Sequence, residues 1–141
     1  MKEFFDTSVL VAAFWGGHHD HEVSFNLLAK AKKRQSACAA HSLAEVYAVM
    51  TALPVRPAIP PDQVLLFVRS ARERLTVVTL DENDYLETLQ ETAELGFTSG
   101  RTYDALLLRC AAKAKVATIY TWNLKHFLAL DPRQAGRIRT P

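Results

Sequence analysis

Short apolar runs alternate with helix-like stretches along the whole chain, and that alternation restricts the fold more than any other feature of the sequence. Phe4-Phe5, residues 36–40, residues 75–80 (LTVVTL) and residues 116–120 (VATIY) read as strands, and residues 137–140 as a further edge strand. Between them the spacing predicts helices over 9–15, 22–33, 42–53, 62–74, 81–95 and 102–115, with a short helix after Thr121-Trp122-Asn123. Strands that alternate with helices imply an α/β fold with a parallel sheet covered on both faces.

The punctuation supports these limits. Ser8 is placed to cap the first helix, and Gly16-Gly17 to stop it. Ser42 and Glu45 have capping-box spacing ahead of an apolar stripe made by Leu43, Val46, Tyr47, Met50 and Leu53. Asp81 caps the fifth helix, which stops at Gly96, and Thr102 is placed to cap the sixth. The Pro-rich passage 54–61 is a connection, so residues 1–141 are expected to form one domain.

Lys30, Lys32, Lys33 and Arg34 crowd the expected end of the second helix, where they favour its dipole. His18-His19-Asp20-His21 has the look of a metal cluster, but it follows two glycines and precedes a helix. It reads as a polar loop with Asp20 as an N-cap. Cys38 and Cys110 sit among small apolar residues and read as reduced core thiols. No apolar run approaches the roughly 18 residues of a membrane span, and nothing resembles a signal peptide. A cytoplasmic protein is expected. A net charge of +2 permits an anionic partner without demanding one.

The carboxylates carry the chemistry. Asp6 follows the first strand directly, where open α/β sheets place their ligand sites. With Phe4-Phe5 before it and Val9–Val11 beyond two hydroxyls, its charge must be neutralised, paired or held by a cation. Asp104 lies three, four and seven residues before Leu107, Leu108 and Ala111, which puts it on the core-facing stripe of its helix. Glu45 shares a helix face with Ala48, Val49 and Ala52, with the capping box as the rival explanation. Three acids from separate element ends at one sheet edge repel one another. Two unit charges about 4 Å apart cost on the order of 4 kcal/mol at an effective dielectric near 20. A divalent cation resolves this, and all-oxygen ligands select a hard ion, Mg²⁺ or Mn²⁺. Such an ion accepts phosphate oxygens, which points to phosphodiester chemistry.

Four motifs in order, Phe5-Asp6-Thr7-Ser8, Leu43-Ala44-Glu45-Val46, Thr102-Tyr103-Asp104-Ala105 and Thr121-Trp122-Asn123-Leu124-Lys125-His126-Phe127, resemble the PIN-domain ribonucleases. Their order and spacing are most similar to the VapC-type toxins of bacterial toxin–antitoxin pairs, over essentially the whole chain. The resemblance implies a three-layer α/β/α fold and a Mg²⁺- or Mn²⁺-dependent endoribonuclease. It also implies a homodimer, an RNA substrate and a small cognate antitoxin, with no membrane partner. Asp6, Glu45 and Asp104 fall on the family's acidic positions, and Thr7 and Thr121 on hydroxyl positions beside them. Asn123 stands where many members carry a fourth acid; an amide can orient water or phosphate but brings no charge. His126 reads as a structural hydrogen-bonding residue. A phosphatase acting through an aspartyl-phosphate would want an acid at position 8, where Ser8 stands. The remaining alternative is a PIN-like domain that binds RNA or a partner without cleaving.

Overall fold

The computed structural model describes all residues 1–141. Five strands, β1 (Glu3–Phe5), β2 (Ser36–Ala39), β3 (Thr76–Val78), β4 (Thr118–Tyr120) and β5 (Ile138–Arg139), form one sheet in the order β3-β2-β1-β4-β5. Every neighbouring pair is parallel, with Phe4 opposite Ala37 and Ile119, and Phe5 opposite Tyr120. The expected edge strand is therefore present and runs parallel to β4.

The helices are α1 (Thr7–Phe14), α2 (His21–Ala29), α3 (Ala40–Thr51), α4 (Pro61–Arg74), α5 (Glu82–Glu94), α6 (Arg101–Lys113) and α7 (Leu124–Leu130). Side chains alternate across a strand, so consecutive residues of β1 enter different cores. Phe4 packs with Ala37, Ala39, Leu107, Ala111 and Phe127, under α6 and α7. Phe5 packs with Cys38, Leu10, Val46, Met50 and Val64, under α1, α3 and α4. The result is the expected three layers. Cys38 and Cys110 are buried free thiols, as read; burial pushes them up to about 12 and about 11. No helix is long and apolar enough to cross a membrane.

Several boundaries differ from the sequence expectation, each for a local reason. The second helix ends at Ala29, so Lys30, Lys32, Lys33 and Arg34 lie in the turn beyond it and its last turn carries no cation. The third strand keeps only Thr76–Val78 of the apolar run, because β2 offers it only three partners. The sixth helix starts at Arg101 with Gly100 as N-cap, so Thr102 lies inside the first turn rather than capping it. Two signals held closely. Asp81 and Asp84 form a reciprocal capping box on α5, and Gly96 leaves that helix at φ +74°, a left-handed turn suited to glycine.

β1 lies at the centre of the sheet, with β2 on one side and β4 on the other. The chain first builds outward through β2 and β3, then returns across to β4. That reversal places a crevice at the carboxyl end of β1, where open parallel sheets hold their ligands.

Candidate functional site

The backbone is still extended at Asp6 before it turns into α1. Asp6 is therefore the N-cap of that helix, accepting from the backbone N–H of Ser8 at 3.4 Å. Ser8, expected to be the cap, instead donates its hydroxyl to Asp6 Oδ2 at 2.7 Å. Thr121, just past β4, donates to the same oxygen at 2.8 Å. Both hydroxyls are themselves held. Ser8 Oγ accepts from the backbone N–H of Trp122 at 2.9 Å, and Thr121 Oγ1 from that of Asn123 at 2.9 Å. The carboxylate is thus fixed by a chain of donors tying β1 to β4. Asp6 is only 1% exposed. Burial raises its pKa above the ordinary 3.8, against the lowering effect of those donors.

Glu45 arrives from the other side. α3 begins at Ala40 immediately after β2, with Ala39 as N-cap and no side-chain cap. Ser42 and Glu45 consequently sit inside the helix, and the capping box expected there does not form. Ser42 Oγ is instead buried against α1, accepting from Thr7 Oγ1 at 2.9 Å, while Glu45 Oε1 lies 3.1 Å from the same threonine oxygen. One hydroxyl proton serves one acceptor at a time, so Thr7 is shared between them. The face of Ala48 and Val49 is exposed, Val49 by 43%, and does not bury the glutamate. Its partial burial comes from α1. That burial raises the Glu45 pKa, helped by the charge of Asp6 and opposed by Thr7 and His41.

Asp104 lies in the first turn of α6, on the side of Leu107, Leu108 and Ala111, all buried as its spacing predicted. Burial, then the charges of Asp6 and Glu45, push its carboxyl up to about 7; Arg101 opposes them. Asp6 is thus close enough to raise the proton affinity of Glu45 and of Asp104, and Glu45 that of Asp104. They come from β1, α3 and α6, with Thr7 and Thr121 on two of their flanks.

Other expectations fare differently. Asn123 occupies the N-cap position of α7, but its side chain caps nothing and is exposed. It joins the site through its backbone N–H on Thr121. His126, read as a structural hydrogen-bonding residue, is more than half exposed, and its Nδ1 stands 3.8 Å from Asp104 Oδ2, beyond hydrogen-bond reach. His41, which sequence reasoning passed over, places Nε2 3.5 Å from Glu45 Oε1. The four-residue spacing of His41 and Glu45 on one helix was the signal available. In the 18–21 loop, Asp20 makes no side-chain cap; the His18 ring accepts the Asp20 backbone N–H instead, at 3.0 Å. His21 pairs with the Ala12 carbonyl at 2.8 Å. Ligand atoms of His18, His19 and Asp20 do lie within 4.8 Å of one another, apart from the carboxylate site.

A parallel sheet in this strand order, with a buried acid after its central strand and two more acids within reach of its charge, defines an α/β protein with an acidic crevice at one sheet edge. The PIN domain family model matches residues 4–129, and the chain belongs to that family. It is 35% identical over 120 residues, 85% of each chain, to Ribonuclease VapC40 of Mycobacterium tuberculosis. Among solved structures it is similar to M. tuberculosis VapC20, described as a sarcin-ricin loop cleaving toxin, with TM-score 0.73 and 16% identity over 91% of this chain and 95% of that one. It also resembles VapBC2 of Rickettsia felis bound to a promoter DNA fragment (TM-score 0.67, 20% identity, 99% and 98%). A toxin–antitoxin complex from Klebsiella pneumoniae is similar as well (TM-score 0.68, 18% identity, 99% and 98%). At these identities the structural likenesses establish the fold.

Proposed function

We propose that the protein is a metal-dependent endoribonuclease that hydrolyses RNA phosphodiester bonds, acting as the toxin of a toxin–antitoxin pair. The observation that carries this reading is buried Asp6 fixed at the end of the central strand, with Glu45 held beside it through Thr7 and Asp104 near enough to feel both charges. The relationship to Ribonuclease VapC40 supplies the substrate class. The donor set fits the ion that the family implies. Three carboxylates and no sulfur suit Mg²⁺ or Mn²⁺, with the His41 and His126 rings beside Glu45 and Asp104, and the repulsion among the acids is the condition a divalent cation relieves.

Asp6, Glu45 and Asp104 would hold the ion. When bound, it would supply Lewis acidity toward phosphate and a lowered pKa for an attacking water. The chain's own residues do the positioning. Ser8 and Thr121 fix Asp6 through Oδ2, leaving Oδ1 the freer oxygen. Thr7 orients Glu45. Asn123, exposed beside Thr121, can donate its amide to a phosphate oxygen without adding charge to the cluster.

A toxin–antitoxin complex among the similar structures supports an antitoxin partner, and the family resemblance implies a homodimer. Incubating the protein with total RNA tests the reading. Cleavage should require added Mg²⁺ or Mn²⁺, stop with EDTA, and vanish in Asp6→Asn. A folded protein that binds RNA without cutting it under any divalent cation would instead favour an inactive RNA- or partner-binding domain, with Asn123 marking the lost acid.

A further inference from the structure

Beside the carboxylate cluster, two aromatic rings from opposite halves of the chain lie face to face. The His41 ring stacks on Tyr103 with centroids 5.0 Å apart and planes 10° from parallel. His41 reaches Glu45, and Tyr103 immediately precedes Asp104, so the pair sits on the rim of the site. Tyr103 is 49% exposed although His41 covers one of its faces, and its hydroxyl makes no hydrogen bond within the protein. A large aromatic side chain is thus pinned by a neighbour while presenting much of its surface to solvent. Three residues before Asp104 on the same helix, Arg101 lies over the Phe97 ring with its guanidinium carbon 4.9 Å from the ring centre. That contact holds a cation at the same end of α6.

An exposed aromatic ring beside a fixed cation is an arrangement proteins use for single-stranded nucleic acid, where bases stack and cations meet phosphates. An ion pair or a core contact explains neither the open surface of Tyr103 nor its parallel stacking on His41. We infer that Tyr103, backed by His41, is a stacking platform for the base of a nucleotide adjacent to the phosphate at the carboxylate cluster, with Arg101 meeting a neighbouring phosphate. The inference rests on the ribonuclease reading and deepens it, because it names the residues that position a nucleotide beside the acids. Stacking is tolerant of base identity, so the platform selects unpaired structure rather than sequence.

The test titrates the full chain into a short 5′-fluorescein oligouridylate in Mg²⁺, read by stopped-flow anisotropy before hydrolysis. Tyr103→Ala should weaken binding roughly tenfold, while Tyr103→Phe and Tyr103→Trp keep wild-type affinity. Arg101→Gln should reduce the salt dependence by about one phosphate contact. An abasic site scanned along the oligonucleotide gives a second readout on the unaltered protein. At one position it should cost the same roughly tenfold in wild type and nothing further in Tyr103→Ala. Wild-type binding with Tyr103→Phe as weak as Tyr103→Ala, additive abasic losses, no position-specific abasic loss, or no RNA binding would each overturn the platform. RNA that is bound through Tyr103 but never cut would leave the platform standing and remove the nuclease reading.

Discussion

Replacing Asp104 by Asn should stabilise the metal-free protein at neutral pH and leave it unchanged in acid. The carboxyl of Asp104 rises from 3.8 to about 7 in the fold, mainly through burial and then through Asp6 and Glu45. Below pH 4 it is protonated in both folded and unfolded chains, so stability is complete. Between about pH 4 and 7 only the unfolded chain sheds the proton, and folding stability falls as pH rises. Above 7 both forms are ionised and the penalty is full. The rise spans roughly three pH units at about 1.4 kcal/mol each, a full swing of about 4 kcal/mol. Asp104 is partly open to water, its side chain 17% exposed, and screening reduces this to about 2 kcal/mol. For a chain of this size that corresponds to about 4–8 °C in melting temperature. The assay is differential scanning fluorimetry of wild type and Asp104→Asn in EDTA from pH 4 to 8. The two curves should meet at pH 4 and separate steadily, the variant melting higher at pH 8. Saturating Mn²⁺ should narrow or reverse the gap by stabilising wild type alone. A difference that is flat with pH, or a variant that melts lower throughout, would refute the electrostatic reasoning.

Three further outcomes follow from particular contacts. Glu45→Gln keeps an acceptor for Thr7 and removes no cap, so metal-dependent cleavage should fall on the order of a hundredfold while the melting temperature barely moves; a destabilised but active variant would contradict this. Asp84, which accepts from the N-cap backbone N–H of α5 and meets Lys113 and Arg109 on α6, is held down to about 2 chiefly by Lys113. Its stabilisation is present above about pH 4 and lost as pH falls toward 2, so Asp84→Asn should flatten the acid limb of a urea-melt series over that range. At the acidic pocket, Arg is the side chain best suited to bridge the three carboxylates when no ion is present. At least one Arg on the antitoxin's C-terminal tail should enter it, with α1 and α3 lining the rest of the tail's path; Mn²⁺ should weaken tail-peptide binding, as should changing that Arg to Ala, and equal affinity throughout would place the inhibitor elsewhere.

Much of the architecture was readable because burial writes itself into sequence simply. Phe4-Phe5 and residues 116–120 read as strands from their apolar runs alone, and the three acids stood out because each interrupts or edges an apolar pattern. Local caps were less legible. The spacing of Ser42 and Glu45 mimics a capping box, yet both residues serve α1, and their hydroxyl partner Thr7 is far away in sequence. Ser8 was likewise read as acting on its own helix, whereas it bridges Asp6 to Trp122. His41 on Tyr103 and His126 near Asp104 depend on how α3 and α7 lie against α6. No local spacing encodes those approaches. Asn123 was placed correctly in the chain, but its exposed side chain follows from the turn after β4 rather than from composition.

The central claim is that Asp6, Glu45 and Asp104 together hold a hard divalent ion. Isothermal titration of Mn²⁺ into the full chain at pH 8, with Asp6→Asn/Asp104→Asn in parallel, tests it most directly. The account predicts saturable binding by wild type and none by the doubly substituted protein, whose fold circular dichroism should find unchanged. Equal Mn²⁺ uptake by both would contradict it, and would move the ion to another site such as the His18-His19-Asp20 loop.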